Sequence, residues 1–216
     1  MDFILETIKN IRPSHFIMKI LAFTDVHGDK KSISGLIESA KIDNPDLLVC
    51  AGDLTNFGEN LHNFLILLNK TGKLLLIIPG NHEDPDELEK ICGNNKNCVY
   101  LHKKIYRIGN YLFIGSGGGG FSVKDLEFEK YFVKMKKEFS KDVKIILVTH
   151  APVYKTKTDM LEGLGHRGCI SYRKFIEEYK PILAICGHFH ETSEKIDHIG
   201  KSLVINPGKR GKILEF

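Results

Sequence analysis

Short, almost unbroken apolar runs alternate along this chain with longer stretches in which apolar positions recur every three or four residues. The runs suit strands buried on both faces, and the longer stretches suit helices with one buried face. The pattern predicts strands over residues 17–23, 47–51, 74–78, 111–115, 143–148, 182–186 and 202–206. Helices are predicted over 30–42, 59–69, 85–92, 123–138 and 170–179; in the last, Ile170, Phe175, Ile176 and Tyr179 fall near helical spacing. Such alternation implies βαβ units, mixed or parallel sheets, and helices on the outer faces, an α/β chain. Ile196–Gly200 and Ser202–Ile205 read as a closing antiparallel hairpin. Residues 1–17 stand apart as an N-terminal extension, with helical spacing of Phe3, Ile4, Leu5, Ile8 and Ile11 ended by Pro13. Residues 18–216 show no internal repeat and no low-complexity linker, so one domain is expected, with Met18 a credible start.

Five apolar runs each end in side chains able to bind a metal. Ile20–Phe23 leads into Thr24-Asp25-Val26-His27, Leu47–Ala51 into Gly52-Asp53, and Leu74–Ile78 through Pro79 into Gly80-Asn81-His82-Glu83. Ile145–Val148 leads into Thr149-His150, and Ile182–Cys186 into Gly187-His188-Phe189-His190. In an open α/β sheet, ligands bind beyond the carboxyl ends of the strands, so all five clusters are expected along one edge. Asp25-x-His27 and His188-x-His190 each place two side chains on one side of an extended backbone. Imidazoles mixed with carboxylates, without a thiolate, suit Mn, Fe, Zn, Co or Ni better than Ca or Mg alone.

Composition narrows the partners. The chain of 216 residues carries 31 basic and 27 acidic side chains, a formal charge of +4 that is too mild and too dispersed for a nucleic-acid-binding stripe. No stretch approaches the roughly 20 apolar residues of a membrane span, and no signal peptide opens the chain, so a cytoplasmic protein is expected. The five cysteines form no CxxC pair; Cys50 and Cys186 read as buried hydrophobes, and Cys92 and Cys98 as free thiols within reach of each other across a short loop.

The ordered set Asp-x-His, Gly-Asp, Gly-Asn-His-Glu, His and Gly-His-x-His resembles the calcineurin-like metallophosphoesterase superfamily over residues 25–190. Within it the chain is similar to the small single-domain phosphodiesterases, including the class III cyclic-nucleotide phosphodiesterases; Thr-His-Ala-Pro at 149–152 strengthens that likeness. The resemblance implies a four-layer sandwich of two mixed sheets flanked by helices, and two divalent transition metals per chain (Mn, Fe, Ni or Zn). It assigns one metal to Asp25, His27, Asp53 and His190, and the other to Asp53, Asn81, His150 and His188, with Asp53 bridging. It implies hydrolysis of small phosphodiesters, cyclic nucleotides among them, by a hydroxide bridging the metals, with His82 as general acid. Glu83, where the family commonly has Asp, is expected to orient His82. His166 and Arg167, in a loop that borders the site in the family, are candidate substrate contacts.

Other polar positions read plainly. A lone strand-end histidine is ordinarily a core or surface residue; its place between two motifs is what makes His150 a ligand candidate. His15, His62, His102 and His198 lack motif context and read as surface residues. The run Gly115-Ser116-Gly117-Gly118-Gly119-Gly120 lacks the ending of a P-loop and reads as a turn near the rim of the site. Beside the diesterase a nuclease ranks third among the enzymes, and two further alternatives stay open. One is a phosphomonoesterase or protein phosphatase, although the arginine those enzymes often carry near the second motif is replaced here by Thr55-Asn56-Phe57. The other is a non-catalytic scaffold of the same fold. A small phosphoester substrate is the expected partner, with no membrane and no nucleic acid; a homodimer would match other small enzymes of this kind.

Overall fold

Alternation along each apolar run sends successive side chains into different buried layers, and that two-sided burial makes the runs strands. In β2 (Lys19–Phe23), Leu21 and Phe23 enter one cluster while Ile20 and Ala22 enter another. β3 (Leu47–Cys50) and β4 (Leu74–Ile77) divide in the same way, with Leu48, Cys50, Leu75 and Ile77 on one side and Leu47, Val49 and Leu76 on the other. The computed structural model describes residues 6–8, 17–135, 139 and 142–216.

The remaining strands are β1 (Glu6–Ile8), β5 (Cys98–Tyr100), β6 (Ile105–Ile108), β7 (Tyr111–Ser116), β8 (Lys144–Thr149), β9 (Met160–Leu161), β10 (Gly165–His166), β11 (Leu183–Ile185), β12 (Ile196–Ile199), β13 (Ser202–Ile205) and β14 (Lys212–Glu215). The helices are α1 (Lys30–Ile42), α2 (Leu61–Asn69), α3 (Pro85–Gly93), α4 (Leu126–Met135) and α5 (Ile170–Tyr179). Two mixed sheets result. One has five strands in the order β14-β2-β3-β4-β5, parallel except for β14; the other has seven in the order β1-β6-β7-β8-β11-β13-β12. In the second, β7, β8, β11 and β13 run parallel, while β6 and β12 are antiparallel to β7 and β13 respectively.

Three apolar layers separate four layers of structure. Ile33, Leu36, Phe64, Leu65 and Leu88 of α1–α3 cover the five-stranded sheet, and Phe128, Phe132, Tyr172 and Phe175 of α4 and α5 cover the seven-stranded one. Between the sheets lie Ile20, Val49, Leu76, Phe113, Ile146, Val148 and Ile185. Phe113 is wholly buried there, and truncating such a ring to alanine costs about 3–5 kcal/mol. Two helices start where a ligand loop ends: Asp29 caps α1 by accepting from Lys31 N at 3.0 Å and Ser32 N at 3.4 Å, and Asp84 caps α3, with Pro85 in its first turn.

Two expectations are corrected. Where the spacing of residues 1–11 predicts a helix, Glu6–Ile8 is a strand paired in parallel with β6; the rest of that segment lies outside the described residues. The helix predicted over 123–138 starts at Leu126 and runs to Met135, residues 136–138 lying outside the described set. Cys92 and Cys98 are free thiols, buried with sulfurs 2.9 Å apart. Among the described residues, no helix is long and apolar enough to cross a membrane.

Candidate metal centre

Backbone hydrogen bonds lace the loops after the parallel strands together. Asp25 N donates to Gly52 O at 3.1 Å, His27 N to Asp53 O at 3.0 Å, and Gly187 N to His150 O at 2.9 Å. Two contacts span the sheets: His188 N donates to Asp25 Oδ1 and Oδ2 at 3.1 and 3.0 Å, and His150 Nδ1 donates to Ala51 O at 2.9 Å. The closeness depends on Gly80, where a Cβ would stand 1.9 Å from Asp53 Oδ1. Asp25, His27, Asp53 and His188 all hold positive φ, 55°, 48°, 51° and 72°. Each such residue costs on the order of 1–3 kcal/mol, and strain of this kind gathers where function demands a fixed geometry.

Three sets of side chains bring potential ligand atoms within 4.8 Å of one another: Asp25, His27 and His190; His27, Asp53 and His82; Asp53, His150 and His188. Asn81 joins the last, its Oδ1 lying 3.0 Å from His150 Nε2 and 2.9 Å from His188 Nδ1. All the expected ligands therefore converge, together with His82.

The donor chemistry fits a cation. A carbonyl can only accept, so His150 carries its proton on Nδ1 and in the neutral ring turns the Nε2 lone pair inward. That lone pair meets two more acceptors, Asn81 Oδ1 at 3.0 Å and Asp53 Oδ2 at 3.3 Å. His27 repeats the arrangement. Asn56 Nδ2 donates to His27 O at 3.1 Å, leaving Asn56 Oδ1 to accept from His27 Nδ1 at 3.1 Å. His27 Nε2 then faces His190 Nε2 at 2.9 Å. Two neutral imidazoles turned so that their lone pairs point inward among carboxylate and amide oxygens suit a divalent ion, and fixing the outer nitrogen of a ligating imidazole is the usual supporting contact.

Electrostatics agree. Burial pushes the Asp25 carboxyl above its ordinary value. Burial also works against the charge on Asp53. Without an ion, however, a protonated His150 donates to it from Nε2, in the place an ion would otherwise take, and its hydrogen bond and charge outweigh burial and hold that carboxyl low. The same partnership overcomes the effect of burial on His150 and raises it. Burial lowers His27, and burial followed by the charge of His150 pushes His188 down to about 4, so it stays neutral at pH 7.

Several roles differ from those expected. Glu83 does not orient His82. Its Oε2 accepts from Asp53 N at 2.9 Å and Gly80 N at 2.8 Å, and its Oε1 accepts from Thr55 N and Thr55 Oγ1, both at 2.9 Å. It clamps the Asp53 loop instead, because four donors converge on its buried carboxylate; His82 Nδ1 is buried without a partner. His166 and Arg167 make no hydrogen bond or ion pair to the seven ligand candidates. His166 Nδ1 lies 2.6 Å from the buried Asp159 Oδ1, and Arg167 donates its backbone N–H to Asp159 O at 3.1 Å. Their hairpin, β9–β10, follows Thr158, whose carbonyl accepts from Thr192 Oγ1 at 2.8 Å in the turn that begins at His190. His102 is no plain surface residue: its Nδ1 accepts from Gly117 N at 2.7 Å, and burial, then Lys103, lowers it to about 4. His62 and His198 are exposed, and His15 lies outside the described residues. Sequence reasoning missed Asn56 as the brace of His27, and Asn206, whose Nδ2 donates to Phe189 O at 3.1 Å within the Gly-His-x-His loop. No spacing marks either one.

Comparison with known proteins is consistent with this geometry. A family model described as calcineurin-like phosphoesterase matches residues 18–192. An uncharacterized protein of Methanocaldococcus jannaschii is 32% identical, with 89% of each chain covered. The Shewanella-like protein phosphatase 1 of Plasmodium berghei is 22% identical over 82% of this chain and 63% of its own length. Among solved structures, a protein of Thermus thermophilus is 19% identical, with a TM-score of 0.72 over 89% of this chain and 90% of its own, a likeness of fold.

Proposed function

The chain belongs to the calcineurin-like phosphoesterase family, and on that premise we propose that it holds two divalent ions and hydrolyses small phosphodiesters. The observation that carries the two-ion reading is the position of Asp53. Its Oδ2 lies 3.7 Å from His27 Nε2 and 3.3 Å from His150 Nε2, so one carboxylate serves both groups of imidazoles. Asp25, His27, Asp53 and His190 would hold one ion, and Asp53, Asn81, His150 and His188 the other. Such ions supply positive charge to a phosphoryl group and lower the pKa of the attacking water.

The rest of the work falls to side chains. Asp53 Oδ1 accepts from His82 N at 2.9 Å, which sets the His82 ring 4.7 Å from that of His27. His82 Nδ1 is buried without a hydrogen-bond partner; as general acid the ring would pass a proton to the departing ester oxygen. Glu83 keeps the Asp53 loop rigid while that happens. The loop after Asp53 supplies no cation for a doubly charged phosphate: Thr55 bonds Glu83, and Asn56 bonds His27. This favours singly charged diesters.

The relative named a protein phosphatase supports a second reading, a phosphomonoesterase. Protein stripped of metal and reloaded with Mn, Fe, Ni or Zn should hydrolyse bis(p-nitrophenyl) phosphate faster than p-nitrophenyl phosphate. The reverse order with every metal would replace the diesterase by the monoesterase. Inertness toward both would leave a scaffold of the same fold.

A further inference from the structure

The two most exposed large apolar side chains among the described residues are Phe57, at 80%, and Phe121, at 79%, and both lie against histidines of the centre. The Phe57 ring is 4.4 Å from the His82 ring and tilted 35° to it; the Phe121 ring is 4.4 Å from the His188 ring, edge-on at 79°. Neither placement is convenient for the fold. Phe57 holds a φ of 48°, a conformation rare for a bulky residue and one that asparagine or glycine takes with less strain. Phe121 follows the glycine run. The base of that run is pinned by Gly117 N donating to His102 Nδ1 at 2.7 Å and Gly118 N donating to Pro79 O at 2.8 Å. At its tip Gly120, with φ 110°, lies so close to His188 that a Cβ would stand 2.4 Å from the ring. The run thus carries Phe121 onto His188; it does not cradle a phosphate.

Strain at Phe57 and exposure at both positions coincide beside the centre, where a ligand would bury both rings. The geometry points to Phe57 and Phe121 as an aromatic platform that selects phosphoesters bearing a flat π-system, an aryl group or a nucleobase, with the phosphate on the centre. This rests on the phosphoester reading above. A ring attached to the departing oxygen reaches Phe57, because His82 serves that oxygen; a ring on the retained oxygen reaches Phe121. Exposed phenyl faces favour planar groups over alkyl chains of the same reach by offset or edge stacking.

The test is equilibrium binding to the metal-loaded protein of phosphonates, whose P–C bonds are not hydrolysed: methylphosphonate, phenylphosphonate and the phosphonate analogue of adenosine monophosphate. Phenylphosphonate should bind roughly tenfold tighter than methylphosphonate. In the double variant Phe57→Leu, Phe121→Leu the ratio should fall to within about twofold, and the Tyr counterparts should restore it. Methylphosphonate binding by the variant shows that its centre is intact. Equal affinities in the native protein, or a ratio that survives both leucines, overturn the platform. A further gain with the adenosine analogue that is lost in the double leucine variant identifies the π-system as a nucleobase, and no such gain identifies it as aryl. If the ratio holds and no ester is hydrolysed with any metal, the hydrolase reading falls and the platform stands.

Discussion

His150 has none of its side chain exposed and His190 has 61%, yet both deliver a ring nitrogen to the same centre. The half around His150 is rooted in the interior by His150 and Asp53, although Asn81 is exposed and His188 half-buried. His150 is tied to Ala51, Asn81 Oδ1 faces two imidazoles, and Asp53 accepts from His82 N while Glu83 holds its loop. The half around His190 is a rim feature, set by a short turn and by the Asn56 brace on His27. A ligand set already ordered by other bonds loses less freedom on binding, so an ion proposed there would be held more tightly. If the site takes the two ions proposed, the inner one beside His150 should bind first and resist a chelator longest, and the rim one beside His190 should exchange.

Asp53→Asn strikes both halves at once and should have the largest effect. Metal analysis should find one ion or none per chain, and activity should fall by more than the roughly 10–100-fold typical of a supporting contact. Two ions retained would show that the halves do not share a carboxylate. His82→Ala belongs to neither half: metal content should stay at the native value while turnover slows at least about a hundredfold. A diesterase rate equal to the native one would remove His82 from proton transfer.

Asn56→Ala should separate the halves. Chelator competition should show the rim ion bound roughly 10–100-fold more weakly and the inner ion unchanged. Equal weakening of both would abolish the distinction. The smallest effect is expected from His102→Gln, at the base of the glycine run. The His102 imidazole accepts a proton near 6.5 when unfolded but only near 4 when folded. The unfolded chain thus binds more protons between those values, and stability is lost as pH falls from about 6.5 to about 4, with no contribution above. The variant should flatten that part of a denaturation-midpoint profile; an unchanged slope would assign the acid sensitivity to the centre itself.

Much of this was legible along the chain. The apolar runs that became β2, β3, β4, β7, β8, β11 and β13 are buried on both faces, and their continuity is visible without a partner. Helices α1 and α5 matched their predicted bounds because an amphipathic period and a capping residue or turn frame them. β5, β6 and β14 went unread: Cys98–Tyr100, Ile105–Ile108 and Lys212–Glu215 are three or four residues long, and pairing with a neighbour, more than pattern, makes them strands. The N-terminal segment failed for the same reason. Its helical spacing is outweighed where Glu6–Ile8 finds the edge of β6.

The ligands themselves were determined by local sequence, since each is a short motif at the end of an apolar run, and parallel strands end at the same edge wherever they lie in the sheet. Only tertiary structure decided which groups support them. Glu83 turned to the Asp53 loop, Asn56 to His27, and Phe57 and Phe121 to the histidines beneath them. These partnerships join residues of different loops, and stacking of the loops chooses among donors and acceptors that the sequence leaves equivalent.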